Sequence, residues 1–346
     1  MEEIIPQIDK EILKSELTPD KLFRKTNKSG NEIYLFTAHN APNLMLEVGR
    51  LREIAFRYYN GGTGKSVDLD EFDTMETPYR QLIVWDSQAE EILGGYRFRC
   101  GNEITFDENG QPNNIATCEL FHFSPTFLTE YLSKTIELGR SFVSLDYQTS
   151  KFGTKGLFAL DNLWDGLGAL SVIYPDFRYF FGKVTMYSSY NSEARNMILF
   201  FLNKYFKDKE NLVWPIAPLK TDMDYPKLEQ LFDKDNYKED YKILNQEVRK
   251  FGINIPALVS AYMNLSPSMN VFGTAVNEGF GNVEETGILI DFDDVFEEKK
   301  QRHIESFLNE RPTKKLINHI REMISKHSST NQNKKFKEKR IINFGR

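Results

Sequence analysis

The strongest constraint on the fold is a series of strand-like segments that precede one long helical segment. β-Branched and aromatic residues concentrate at 80–86, 91–99, 117–123 and 135–145, and Asp86-Ser87-Gln88 suits a hairpin turn between the first two. Residues 156–173 then repeat leucine and tryptophan at helical spacing. A meander of strands ahead of a central helix predicts an α+β fold, or a mixed sheet flanked by helices.

The same criteria divide the rest of the chain. Strands are predicted at 32–36, 178–186, 270–276 and 286–291, and helices at 43–59, 191–206, 256–265 and 295–324. Residues 207–246 are polar, weakly periodic and interrupted by prolines, which indicates an insertion or lid. We therefore expect a helical extension over 1–30, a main domain over 31–292, and a C-terminal helix with a basic tail over 293–346.

Charge and composition limit the compartment and the partners. The chain contains no apolar stretch of about 18 residues, begins with acidic residues, and has too few cysteines for a disulfide framework. These features predict a reduced, cytoplasmic protein, and we expect no nucleic-acid partner. Residues 313–346 carry ten Lys/Arg and two Asp/Glu, a net charge of +8, while the other residues carry −14. Such a tail either binds an acidic partner or an anionic lipid surface, or is simply solvated.

Three patterns that carry chemistry in other proteins fail here. The glycine-rich stretch 61–66 lacks the earlier glycine of a phosphate-binding loop and follows a helix. Cys118 and His122 lie too far apart along a predicted strand to form a nucleophile pair. The histidines show no metal-ligand spacing, so we expect no metal site. The 27 Phe and 16 Tyr can fill a large core or line an apolar cavity.

Four short motifs follow one another in a particular order. Arg52 and Phe56 lie on the first long helix, and the acidic motif Asp68-x-Asp70-x-x-Asp73 comes next. Arg97 lies in Gly94-Gly95-Tyr96-Arg97-Phe98-Arg99 on a predicted strand. The last motif, Glu137-Leu138-Gly139-Arg140-Ser141-Phe142-Val143, occupies the longest predicted strand, where an internal glycine often marks a bulge.

This order of motifs resembles the N-acyltransferases of the GNAT superfamily, in particular the group of autoinducer synthases and ornithine- or glycine-lipid (hemolysin-like) acyltransferases. The Glu-Leu-Gly-Arg-Ser run is the most specific part, and residues 255–258, Tyr262 and 272–273 resemble the group's C-terminal half. The resemblance covers about residues 45–292. It implies a mostly antiparallel central sheet flanked by helices, with a splayed and bulged central strand. It also implies an enzyme that moves an acyl group from a thioester to an amine without a tightly bound cofactor.

One departure from the superfamily pattern bears on the acyl donor. Members that use acetyl-CoA carry Arg/Gln-x-x-Gly-x-Gly/Ala after the long strand, whereas the glycines within 148–156 are spaced differently. Helix-terminal amides with Lys151 or Lys155 would suit the single phosphate of a phosphopantetheine arm, or these lysines are only solvated. We therefore expect acyl carrier protein rather than acyl-CoA as the donor.

The resemblance also assigns roles to residues of the long strand. Glu137 is the expected general base, and an ion pair with Arg140 or Arg97 is the alternative explanation of its carboxylate. A bulge at Gly139 would free a backbone N–H near Ser141, Phe142 or Val143 to bind the thioester oxygen. The acyl chain would enter a slot between this strand and 178–186, among Phe142, Phe180, Phe181 and Tyr187.

The remaining motif residues are expected at the acceptor side, where they would order the first helix and loop over the amine site: Arg52, Phe56, Asp70, Asp73, Arg97 and Arg140. The alternative is an ordinary network of surface charges. The expected reaction moves a long fatty acyl group, with or without a 3-hydroxyl, to the amine of glycine or ornithine for aminolipid synthesis. A synthase of acyl-homoserine lactones and a non-catalytic lipid- or carrier-binding protein are the alternatives, and peripheral contact of the basic tail with the inner membrane face is also expected.

Overall fold

The computed structural model describes residues 1–148 and 154–309, with the side chains of 154–157 outside that description. Its strands are β1 (Leu22–Lys25), β2 (Glu32–Phe36), β3 (Arg80–Asp86), β4 (Glu91–Cys100), β5 (Phe121–Phe123), β6 (Thr135–Val143), β7 (Tyr179–Met186), β8 (Val213–Pro215), β9 (Asn270–Asn277) and β10 (Val283–Asp291). Its α-helices are α1 (Lys10–Glu16), α2 (Pro42–Tyr58), α3 (Glu71–Thr74), α4 (Leu145–Gln148), α5 (Thr154–Ile173), α6 (Ser192–Phe206), α7 (Tyr225–Leu231), α8 (Tyr237–Arg249), α9 (Ala257–Met263), α10 (Glu297–Lys300) and α11 (Ser306–Asn309).

A large, mostly antiparallel sheet organises the described residues. Eight of their strands form it in the order β1-β2-β3-β4-β6-β7-β10-β9, and β5 pairs with β8 in a small second sheet. Within the large sheet β6 and β7 are parallel, and the other described pairs are antiparallel. Helices flank the sheet, so the α+β prediction with a mostly antiparallel central sheet is confirmed.

The parallel pair at the centre of the sheet opens into a slot. Pairing of β6 with β7 ends at Leu138 and Gly182, although both strands continue to Val143 and Met186. Gly182 permits the close approach at this last pair, because a Cβ there would lie 2.6 Å from the Leu138 carbonyl oxygen. The two strands diverge beyond this point, which confirms the predicted splay.

β6 also carries a bulge on its other edge, against β4. Between two successive pairs of that ladder, β6 has two residues, Arg140 and Ser141, where β4 has the single residue Tyr96. Arg140 has a φ of 46°, in the left-handed region that side-chain-bearing residues seldom adopt. The predicted bulge is therefore confirmed, but its extra residue is Arg140 and not Gly139.

One face of the sheet, called the helix face here, packs against α5 and α6, and α8 packs on α6. Leu138 of β6, Phe180 of β7 and Phe201 of α6 belong to its core. The segment 207–246, expected to be an irregular insertion or lid, contains β8, α7 and most of α8. α8 is largely charged and buries only a narrow stripe, which includes Leu244 and Val248, so its helical period is hard to see in the sequence.

The opposite face, called the site face, is covered by α2 at one end and by the β5–β8 sheet at the other. Leu44 and Val48 of α2 pack on β2 and β3, while Phe121 and Phe123 of β5 pack on Phe181 of β7. Between these apolar regions lies a belt of charged side chains. No helix among the described residues is long and apolar enough to cross a membrane.

Two predictions of secondary structure, for residues 117–123 and for residues 1–30, are wrong in detail. Residues 117–123 do not form one strand, because the 3-10 helix Ala116–Glu119 precedes β5 and contains Cys118. Residues 1–30 are not purely helical, because β1 follows α1 and pairs with β2 at the edge of the large sheet. The sheet edge offers hydrogen bonds to β1 that no local pattern in a four-residue strand can reveal.

Candidate active site

A buried cluster of arginines and aspartates lies between α2 and the sheet. Arg52 of α2 lies 3.2 Å from Asp73 through Nη1 and Oδ2, and both side chains are fully buried. Gln81 of β3 joins them: it accepts from Arg52 Nη2 at 2.5 Å and donates to Asp73 at 2.9 Å. Arg97 Nη1 lies 2.6 Å from Asp70 and 3.1 Å from Asp73. The alternative of an ordinary surface network is wrong, because these charges are enclosed. Burial alone would raise the pKa of Asp70, but the Arg97 guanidinium holds it below its usual range.

The acidic motif presents its carboxylates through a capping box. Asp70 caps α3 by accepting the Asp73 backbone N–H at 3.2 Å, and the Asp73 side chain turns back toward the Asp70 N–H. Arg140, at the bulge of β6, pairs with Asp68 at 3.0 Å and with Asp70 at 3.2 Å. Its guanidinium also lies 4.4 Å from the centre of the Phe280 ring. The left-handed backbone of Arg140 places this side chain on the site face, which is also the face of Glu137.

Glu137 lies beside the cluster and is only 2% exposed. Its Oε1 accepts the N–H and the hydroxyl of Thr117, at 3.0 and 2.7 Å, and its Oε2 accepts the Tyr79 hydroxyl. That hydroxyl also accepts the Ala116 N–H at 2.9 Å. Burial and then the charge of Glu137 raise the pKa of Tyr79 well above its usual value, so Tyr79 keeps its proton for this bond. Among the described contacts Glu137 forms no ion pair with either neighbouring arginine, and the alternative explanation of its carboxylate is therefore wrong.

The free edge of β6 faces the slot beyond Leu138. The Val143 carbonyl accepts the Gln148 side chain at 2.6 Å, while the N–H of the next residue, Ser144, bonds to Leu93 of β4. Because the N–H and C=O of one strand residue point to the same edge, the Val143 N–H faces the slot as well. Tyr59 donates to Gln148 at 2.8 Å and stacks on Tyr187 at 5.2 Å, and these rings border the open end.

The aromatic residues expected around the acyl chain do not share one cavity. Phe142 packs under α2 on the site face, and Phe181 packs in the aromatic cluster below β5. Phe180 points to the helix face, 4.1 Å from Phe292, where it borders an apolar cavity of about 30 Å³. Successive residues of a strand point to opposite faces, so the shared lining predicted for Phe180 and Phe181 is wrong.

The other predicted residues divide in the same way. Ser141 lies beside the Tyr96 hydroxyl on the helix face, so it does not join Glu137 and Phe142. Phe56 of α2 is buried with its ring 5.1 Å from Phe280, next to the charged cluster. Lys151 lies outside the described residues, as does the side chain of Lys155, and so does the basic tail.

A cleft of about 730 Å³ is lined in part by Glu119, Leu120 and Asn277. Asn277 donates to Glu285 at 3.0 Å, and Glu285 also binds Lys183 of β7. Burial raises the pKa of Glu119 more than the nearby charge of Lys183 lowers it. Asn277 and Glu285 therefore connect the cleft to Lys183 of β7.

Several of these residues do not belong to any motif that the sequence reveals. Gln81 and Lys183 carried a usable signal, because each is a polar residue at an inward-facing position of an apolar strand. Tyr79, Thr117 and Glu119 carried none, because they reach the site only through long-range packing.

The fold and the site define an acyltransferase of the GNAT type, and comparisons with known proteins agree. Residues 51–155 match the acetyltransferase (GNAT) domain. The chain is 62% identical over 312 residues to the glycine N(alpha)-acyltransferase of Phocaeicola vulgatus, covering 90% of this chain and 95% of that protein. It is 61% identical over 312 residues to the glycine N(alpha)-acyltransferase of Bacteroides thetaiotaomicron, covering 90% of this chain and 92% of that protein. The chain belongs to the family of these two proteins, and it is an N-acyltransferase.

A solved structure of the AHL synthase LasI overlaps 45% of this chain and 74% of its own, with a TM-score of 0.31 and 12% identity. This overlap is too weak to carry an argument.

Proposed function

We propose that this enzyme transfers a long fatty acyl group from acyl carrier protein to the amine of glycine, as a step in aminolipid synthesis. The observation that carries the proposal is the 62% identity, over 90% of the chain, to a protein named glycine N(alpha)-acyltransferase. The slot between β6 and β7 supports it, because a thioester arm laid there would meet the polar belt of the site face.

The reaction forms one bond and breaks one. The amine nitrogen attacks the thioester carbonyl carbon, the C–S bond breaks, and the proton lost by the amine is balanced by one gained by the departing thiolate. The Val143 N–H at the free edge of β6 suits the developing oxyanion, and one such donor contributes about 100- to 1000-fold in rate in other enzymes. A carboxylate must accept the amine proton, and the site face offers Glu137 and Glu119.

In this proposal the charged cluster forms a rigid wall on the side of the site where the acceptor amine binds. Arg52, Arg97 and Arg140 connect α2, the capping loop of α3, β4 and β6 through paired carboxylates. Phe56 extends the same wall by packing on Phe280. A site whose supporting residues are locked in place holds reacting groups in line without reorganisation.

The choice of donor rests on charge and on glycine spacing. The glycines within 148–156 do not follow the acetyl-CoA pattern, and helix-terminal amides with Lys151 or Lys155 would suit the single phosphate of a phosphopantetheine arm. The tail of net charge +8 suits an acidic carrier protein or the anionic face of a membrane. Each acyl CH₂ buried contributes about 0.8 kcal/mol, so a long chain can be strongly selected.

The test is an incubation of the full-length protein with palmitoyl-acyl carrier protein and a pool of the common amino acids plus ornithine, analysed by mass spectrometry. We expect N-palmitoylglycine as the dominant product. Acyl-ornithine would overturn the glycine assignment, and a lactone formed from added S-adenosylmethionine would identify a signal synthase. A higher kcat/KM with palmitoyl-CoA would overturn the choice of carrier protein.

A further inference from the structure

We propose that the amino-acid acceptor binds as a zwitterion between Glu119 and Lys183, with its amine at Glu119 and its carboxylate at Lys183. Glu119 takes one proton from the ammonium, so that the neutral amine can attack the thioester; the second proton, lost by the nitrogen as the amide forms, goes to the departing thiolate. This inference rests on the proposed function, because it states how that site recognises its acceptor.

Glu119 combines accessibility with a fixed backbone. It ends the 3-10 helix whose Thr117 is bound to Glu137 through two hydrogen bonds. Its side chain lines the cleft of about 730 Å³ and is exposed to solvent. In the described part of the chain it forms no ion pair, although Lys183 and Asp70 are close enough for their charges to act on it. A carboxylate that is available and whose pKa lies above the usual value is a better proton acceptor near neutral pH than an ordinary glutamate.

Lys183 is placed where the slot begins. It directly follows Gly182, the last residue of β7 that pairs with β6. By strand alternation it shares the site face with Phe181, and its side chain is 10% exposed. One of its three N–H donors goes to Glu285, which leaves two for a ligand. Asn277, which lines the cleft, also binds Glu285, so the ammonium of Lys183 adjoins the cleft.

The charge pattern matches a small amino acid. A free amino acid carries an ammonium and a carboxylate on one carbon, and this site offers an anion and a cation that are close enough for their charges to interact. Arg97 and Arg140 are less suited to the carboxylate, because both are already paired with aspartates. An amine without a carboxylate would leave the free donors of Lys183 unused.

Glu137 has a different role in this arrangement. Both of its oxygens are occupied by the donors of Thr117 and Tyr79, and it is buried. It is a positioning residue, which holds Thr117 and thereby sets the place of Glu119 two residues later. Glu119 touches the substrate and Glu137 does not.

The experiment uses the full-length enzyme with acyl carrier protein thioester and two acceptors, glycine and glycinamide, which lacks the carboxylate. Lys183→Met removes the proposed carboxylate ligand, and Lys183→Arg keeps a cation. Glu119→Gln removes the proton acceptor. Lys227→Met and Glu229→Gln are matched controls, because these exposed residues of α7 undergo the same chemical changes outside the lining of the cleft.

We expect Lys183→Met to raise KM for glycine about 10- to 100-fold while KM for glycinamide stays within about twofold, since a hydrogen bond to a charged group is lost for one acceptor only. Lys183→Arg should recover part of the loss. Glu119→Gln should lower kcat for both acceptors about 100-fold or more and abolish the acidic limb of the pH profile of kcat. The controls should match the wild type, and thermal unfolding of each variant checks its fold.

Equal KM changes for glycine and glycinamide in Lys183→Met would overturn the carboxylate assignment. A wild-type pH profile in Glu119→Gln would overturn the proton acceptor, and if Glu119→Gln unfolds, the same profile is measured on Glu119→Asp, in which the limb should remain at reduced kcat. Failure of the proposed function is a separate result, because the wild-type enzyme would then make no acyl-glycine.

Discussion

The three hydrogen bonds that surround Glu137 make a quantitative prediction for Glu137→Gln. The carboxylate accepts from the Thr117 N–H at 3.0 Å, the Thr117 hydroxyl at 2.7 Å and the Tyr79 hydroxyl. Hydrogen bonds to a charged group contribute about 1.5–3 kcal/mol, and neutral ones about 0.5–1.5 kcal/mol. The glutamine oxygen can keep both Thr117 bonds in neutral form, while its NH₂ group must face Tyr79, whose hydroxyl would have to accept. We therefore expect Glu137→Gln to lower the free energy of unfolding by about 2–3 kcal/mol.

Urea unfolding followed by circular dichroism measures this loss, with Glu278→Gln as the control because that glutamate is exposed and forms no part of the network. Tyr79→Phe should also destabilise the protein, because it leaves the Ala116 N–H and one Glu137 oxygen without their partner. In the kinetic assay Glu137→Gln should lower kcat but keep the acidic limb of the pH profile. Wild-type stability of Glu137→Gln would contradict the energies assigned to these hydrogen bonds. Loss of the acidic limb of the pH profile in this variant would make Glu137 itself the base.

Three further predictions concern the slot and its surroundings. Arg97→Met should cost about 3–5 kcal/mol of stability by urea unfolding, because it leaves the buried Asp73 and the partly buried Asp70 short of a cation. Arg178→Met, which also removes an arginine facing two aspartates but at the surface, should unfold close to the wild type. Gly182→Ala should cost about 1–3 kcal/mol and lower kcat, since its Cβ would meet a backbone carbonyl of β6 at 2.6 Å, whereas Gly279→Ala has space and should be neutral. Burial, with two neighbouring glutamates, raises the pKa of Cys118 to about 11, so mass spectrometry should show slow alkylation by iodoacetamide at pH 8 and fast alkylation after unfolding; rapid labelling of the native protein would contradict this.

Local sequence patterns were sufficient to predict the long helices and strands and to find the order of the motifs. The helices at 43–59, 156–173 and 191–206 and the strand at 178–186 agree with α2, α5, α6 and β7 to within a few residues. Their periodicity extends over several turns or pairs, so neighbouring residues repeat the same information. The short strands β1, β5 and β8 and the amphipathic helix α8 were missed or misplaced. Their stability comes from the sheet edge or core against which they pack, and the local sequence does not contain those partners.

The candidate site shows the same division. The bulge was expected from Gly139, yet Arg140 adopts the positive φ, because pairing with Asp68 and Asp70 holds its side chain on the site face. The motif arginines and aspartates were identified one by one, but their burial was not, since burial depends on how α2 lies over β3 and β4. Tyr79 and Thr117 could not be linked to Glu137, which lies 58 and 20 residues away along the chain.

The sequence by itself determined the class of fold, the family of acyltransferases and the identity of the charged side chains, because periodicity and ordered motifs are local properties. Only the tertiary structure decided which charges are buried together, where the parallel strands part, and that the charge of Lys183 acts on Glu119. Burial and electrostatic interaction depend on distances in space, and those distances are fixed only when segments far apart in the chain pack against one another.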